Sequence, residues 1–74
     1  MAEKLPRLKA IEIIRVLQKH GLINISQRGS HQKWRNNDTG KQVIVPYHKG
    51  KQLPLGTINS IIEGSGIPEE EFSN

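Results

Sequence analysis

The chain has 74 residues, 34% of them hydrophobic and 24% charged; eleven Lys and Arg against seven Asp and Glu give a formal net charge of +4, and cysteine is absent. This composition excludes a disulfide framework and a thiolate metal site, and no apolar run approaches the ~20 residues of a membrane-spanning helix. A chain this short is expected to form one domain over residues 1–74 with a small core, because it buries only about 60% of the surface its unfolded form exposes.

The opening stretch MAEKLPRLKA carries no hydrophobic segment of the signal-peptide kind, and the lack of cysteine suits a reducing cytoplasm. From Leu8 to Leu17, Ala10, Ile13, Ile14 and Leu17, flanked by Ile11, fall on one side of a helical wheel. Lys9, Glu12, Arg15 and Lys19 fall opposite. This spacing predicts an amphipathic helix. Its end is marked by Lys19 and His20, which complement the helix dipole, and by Gly21 as the left-handed residue that follows; His20 is thus a helix-end residue.

Three strand signals come next. LINIS, Leu22 to Ser26, alternates Ile23 and Ile25 with Asn24 and Ser26; HQKWR, His31 to Arg35, has strand length and an aromatic; KQVIVPY, Lys41 to Tyr47, holds the β-branched triplet Val43, Ile44 and Val45. NNDTG separates the last two with turn-forming residues, so the middle of the chain reads as an antiparallel meander. Pro46 cannot donate a ladder hydrogen bond, which puts the third strand at an edge or ends it there. In LGTINSIIEG, Leu55, Ile58, Ile61 and Ile62 sit at helical spacing with Gly64 and Gly66 as stops. IPEEEF then places Pro68 at a further helical start with glutamates in its first turn. Residues 1–6 and 73–74 are expected to fray. The predicted fold is α+β, in the order α-β-β-β-α, with a three-stranded antiparallel sheet and two helices on one of its faces.

Charge is unevenly distributed along this order. Four of the seven acids (Glu63, Glu69, Glu70, Glu71) lie near the C-terminus, whereas between Lys19 and Lys51 a single acid, Asp38, meets Lys19, Arg28, Lys33, Arg35, Lys41, Lys49 and Lys51. A basic surface of this kind attracts polyanions, or is a solvated face. Within it QRGSHQKW sets a glycine just before a strand, where a missing Cβ lets backbone approach a ligand, and a histidine at the strand's first position. Strand alternation points His31, Lys33 and Arg35 to one face and Gln32 and Trp34 to the other. Two readings follow: a core Trp34 with three solvated polar residues, or a phosphate platform with a general base beside it, a task imidazole suits near neutral pH. His48, beside Lys49 and Lys51, flanks the same surface or is solvated. Histidines 20, 31 and 48 match no compact metal-ligand spacing, and neither a Ser-His-Asp arrangement nor a P-loop is present.

The segments LQKHGLINISQRGSHQKWRN, KQVIVPYHKGKQLPLGTINSII and SGI resemble the HicA family of small toxins from prokaryotic type II toxin-antitoxin systems. The likeness runs from about Ile11 to Phe72. Its most specific part is Gly29, Ser30 and His31, placed behind HGL and ahead of VPYH and GT. The chain departs from the family's usual residues in having Leu22 where phenylalanine is common, Trp34 where tyrosine is common, and Pro54 ahead of the second helix. The resemblance implies a double-stranded-RNA-binding-domain-like fold, His31 as the catalytic histidine with Gly29 as its preceding glycine, metal-independent cleavage of mRNA, and neutralisation by a HicB-type antitoxin. On this basis the expected activity is that of an endoribonuclease (mRNA interferase) with no cofactor, no metal and no membrane partner. Arg28, Gly29, Lys33, Arg35 and Lys49 are expected to contact RNA, with His48 as candidate auxiliary. The alternatives are a non-catalytic RNA-binding module of the same fold and a small protein whose basic face meets an acidic protein.

Overall fold

The computed structural model describes residues 7–73, so the expectation that residues 1–6 and Asn74 fray falls outside the described residues. Ser73 lies within them and directs both its N–H and its hydroxyl at the Glu70 carbonyl, each at 3.3 Å.

Helix α1 (Ala10–Lys19) buries the predicted stripe of Ala10, Ile13, Ile14 and Leu17. Its start is held by the Lys9 backbone N–H donating to the Glu12 carboxylate at 2.8 Å, one half of a capping box. It ends at His20, whose N–H is shared between the Val16 and Leu17 carbonyls at 3.1 Å each, as the Lys19-His20-Gly21 signal predicts. Strands β1 (Leu22–Arg28), β2 (His31–Asn36) and β3 (Gln42–Pro46) form one antiparallel sheet in the order β1-β2-β3. Pro46 is accordingly the last residue of an edge strand. Helix α2 (Leu55–Ser65) and a 3-10 turn (Glu69–Phe72) complete the order.

Both helices lie on one face of the sheet: α1 packs on β1 and β3, α2 on β3, and the 3-10 turn against α1. Ile13, Leu17, Val45 and Ile58 are wholly buried, with Trp34, Val43, Ile61 and Phe72 closing the core around them. Ahead of α1, the Leu53 N–H donates to the Leu8 carbonyl at 2.8 Å and fastens the segment before α2 to the start of the chain.

Three details differ from the pattern read along the chain. Helix α2 runs through Gly64 and stops only at Gly66, in a left-handed conformation. Gly64 is a packing residue, since a Cβ there would lie 3.0 Å from Val43 Cγ1, a contact tight enough that the Val43 side chain or the helix must shift by a few tenths of an ångström. Leu55, at the first position of α2, is exposed, and the buried side of that helix is Ile58, Ile61, Ile62 and Ser65. Finally, Ile23 and Ile25 are both exposed, and Leu22 alone in β1 is buried.

Ile23 is exposed because it shares the face of Arg35, and the exposure of Ile25 has a backbone cause. Leu22, Ile23 and Asn24 pair with Asn36, Arg35 and Trp34, but the next pair is Ser26 with Lys33, followed by Gln27 with Gln32 and Arg28 with His31. Ile25 is the extra residue of a β-bulge. Before it, even-numbered residues of β1 share the Trp34 side; after it, they share the Lys33 side. Arg28 thereby reaches the open face of the sheet while Leu22 stays in the core.

Candidate active site

The open face is built from the register. Side chains alternate across each strand, and the partners of β2 are known on both sides, so three rows cross the face. The first holds Arg28, His31 and Pro46; the second Ser26, Lys33 and Ile44; the third Ile23, Arg35 and Gln42. Neighbours within a row are about 4.8 Å apart between strands, and successive rows about 6.8 Å apart along them.

His31 is held at the end of its row by a tight turn. Arg28 and His31 are paired, so Gly29 and Ser30 alone connect β1 to β2. Gly29 has φ +59 and Ser30 has negative φ, the glycine placement of a two-residue type II′ connection. The Gln27 side-chain amide braces the turn by donating to the Gly29 carbonyl at 3.0 Å. Glycine is therefore required here by the hairpin itself. The space where its Cβ would lie is open, with no heavy atom within 4 Å apart from Gly29 itself and its two chain neighbours. Behind the turn, the Tyr47 N–H donates to the Ser30 carbonyl at 2.6 Å and extends the β2-β3 ladder past His31.

Arg28, His31 and Lys33 line one shallow concavity of about 350 Å³, together with Ser26 and Ile44. Two cations thus flank an exposed imidazole on rigid strands, in a site large enough for a small ligand. Lys33 is half-buried where it crosses the middle strand, whereas Arg28 and His31 are exposed. The opposite face of β2 carries Trp34, 5% exposed, whose indole Nε1 donates to Gln32 Oε1 at 3.1 Å. Core and candidate site are back to back on one strand.

The remaining predicted residues lie around this centre. Arg35 shares the face but is two rows from His31, about 14 Å along the strand, and does not line the concavity. His48 and Lys49 are exposed in the turn after β3, closed by the Lys51 N–H donating to the His48 carbonyl at 3.1 Å. That turn leaves the sheet at the His31 end, but neither residue lines the concavity. His20 is elsewhere: its Nε2 meets Glu71 Oε1 at 3.1 Å and joins the end of α1 to the 3-10 turn. Ser26 and Ile44 are the site residues the sequence pattern does not single out. Ile44 could have been found from its alternation with Val43 and Val45; Ser26 reaches the face only through the bulge. Among the described residues, no three His, Asp or Glu side chains converge as metal ligands, and no helix is long and apolar enough to cross a membrane.

A family model for the HicA toxin of bacterial toxin-antitoxin systems matches residues 10–67. The chain belongs to the HicA toxin family. The matched span runs from the first residue of α1 past the end of α2 and contains all three rows of the open face. The chain is accordingly the toxin of a toxin-antitoxin pair, in a family of mRNA-cleaving toxins, with an antitoxin and RNA as its partner classes. Among curated proteins, none matches the chain.

Proposed function

We propose that this HicA-family toxin is a metal-independent endoribonuclease in which His31 is the general base. The imidazole takes the proton of a ribose 2′-hydroxyl, and the 2′-oxygen attacks the adjacent phosphorus. The bond from phosphorus to the 5′-oxygen breaks, leaving a 2′,3′-cyclic phosphate and a 5′-hydroxyl. His48 or a water supplies the proton to the leaving oxygen. Arg28, across from His31 on β1, and Lys33, two residues on along β2, offset the charge that builds on the phosphorane, and cations at such a position act most strongly in the transition state. Arg35 holds a phosphate farther along β2 and Lys49 one beyond the His31 end of the sheet, and the Gly29 backbone borders the track. A HicB-type antitoxin silences the enzyme in the cytoplasm, where its mRNA substrate is found.

The single observation that supports this reading is the concavity shared by Arg28, His31 and Lys33. Phosphate binding alone is served by permanent cations, whereas an imidazole beside them adds a group that can take a proton near neutral pH. The decisive experiment is incubation of the purified chain with a defined RNA in excess chelator, with product ends identified by mass. Cleavage to 2′,3′-cyclic ends is expected. Salt-sensitive retention of RNA without cleavage would replace the enzyme by a non-catalytic RNA-binding module, and cleavage only after metal is restored would remove the proposed chemistry.

A further inference from the structure

We propose that Ser26, Lys33 and Ile44 form a subsite for one unpaired nucleobase beside the scissile phosphate. The inference rests on the reading of His31 as the reacting centre and adds what the substrate must present there. Ile44 is 46% exposed and is the apolar residue that lines the concavity, among Ser26, Arg28, His31 and Lys33; Ile23, also exposed on this face, lies a row away beside Arg35. The chain neighbours of Ile44, Val43 and Val45, fill the core, so nothing in the packing of β3 calls for a large apolar side chain between them. In the register, Ile44 lies across from Lys33, and Ser26 lies on Lys33's other side. The same three residues line the concavity that holds Arg28 and His31.

An apolar floor at Ile44, one hydroxyl at Ser26, Lys33 between them and Arg28 at the rim suit a nucleotide. The flat face of a base covers Ile44, its polar edge reaches the Ser26 hydroxyl, and the attached phosphates meet Lys33 and Arg28. A volume of about 350 Å³ is at the small end for ligand sites, matching a single nucleotide. The positive rim favours a polyanion over an apolar protein side chain. A base stacked in a duplex cannot turn its face to a floor of this kind, whereas single-stranded RNA is read by splaying bases onto side chains. The subsite therefore restricts cleavage to unpaired RNA.

The test uses the intact chain and a short RNA whose cut position has first been mapped. Four substrates are compared under single-turnover conditions: the RNA itself, two RNAs with an abasic ribose at one or the other nucleotide flanking the cut, and the RNA annealed to its complement. Wild type, Ile44→Thr, Ser26→Ala and His31→Ala are assayed on each. Ile44→Thr keeps a β-branched residue at an exposed strand position, so the fold is retained. One of the two abasic substrates is expected to be cut roughly tenfold less efficiently by wild type, mainly through KM. Ile44→Thr should show a similar loss on intact RNA and no additional loss on that abasic substrate, and the duplex should be spared. Equal cleavage of intact and both abasic RNAs by wild type overturns the subsite, as do losses from Ile44→Thr and base removal that multiply. A normal rate for His31→Ala refutes the general-base reading and leaves the Ile44 comparison intact. If wild type cuts nothing, the abasic position is scanned along the oligonucleotide and binding is read by fluorescence anisotropy. A site-specific loss that Ile44→Thr abolishes then supports the subsite; uniform binding overturns it.

Discussion

Replacing His31 by alanine separates chemistry from folding with unusual clarity, because the two effects differ widely in size. His31 is exposed at the first position of β2, and its side chain contributes nothing to the core formed by Trp34, Val43 and Val45. A surface substitution of this kind changes stability by no more than about 0.5 kcal/mol. Loss of a general base costs about 10²- to 10⁴-fold in rate, equivalent to about 2.7 to 5.4 kcal/mol in the activation barrier. The His31→Ala variant should therefore melt within a few degrees of wild type and cut RNA at least a hundredfold more slowly. Circular dichroism fixes the folded concentration, and single-turnover cleavage in chelator gives the rate. Cleavage at a near wild-type rate would make His31 a turn-flanking residue without a chemical role. Loss of both cleavage and RNA binding would instead assign the row of Arg28, His31 and Lys33 to binding.

The surrounding residues give sharper distinctions when taken one by one. Arg28→Gln and Lys33→Gln should each flatten the dependence of log K on log salt by about 0.7 for single-stranded RNA; anisotropy titrations across a salt series check this, and an unchanged slope would show that the cation makes no phosphate contact. Gly29→Ala, forced to keep φ +59, should lower stability by about 1 to 2 kcal/mol in thermal or urea unfolding, and an unshifted midpoint would mean that the turn relaxes at no cost. Trp34→Ala should cost about 3 to 5 kcal/mol, enough to threaten a domain whose total stability is about 5 to 15 kcal/mol; urea unfolding measures it, and a mild effect would contradict the place of Trp34 in the core. The antitoxin should cover the face that carries His31 and associate in a salt-dependent way, so Lys33→Glu should weaken the complex while Glu70→Lys should not; the reverse outcome would move the interface to the acidic 3-10 turn.

Most of the architecture is legible in the sequence because it rests on local periodicity. Ala10, Ile13, Ile14 and Leu17 define a helix face whatever lies beneath it, and β2 is regular, so two-residue alternation separates Trp34 from His31, Lys33 and Arg35. What escapes is set by partners distant in sequence. Gly64 looks like a helix stop until β3 is seen to press against it. Arg35 is on the correct face, yet row spacing removes it from the concavity. The face of Arg28 cannot be read from alternation at all: counted evenly from the buried Leu22, it would point at the helices. Pairing with β2 decides it, through the bulge at Ile25.

That bulge also gives the two strands of the hairpin unequal tolerance to changes in length. Strand β1 holds one residue more than its pairing uses. A deletion between Leu22 and Ser26 can be absorbed by loss of the bulge, leaving Leu22 inward and both Ser26 and Arg28 outward. Strand β2 has no such reserve, since every residue from His31 to Arg35 is paired on both sides. Removing one residue between His31 and Trp34 forces either the indole out of the core or the imidazole into it. The hairpin can therefore lose one residue from β1 and keep its site, while the offset of three positions from His31 to Trp34 must stay fixed.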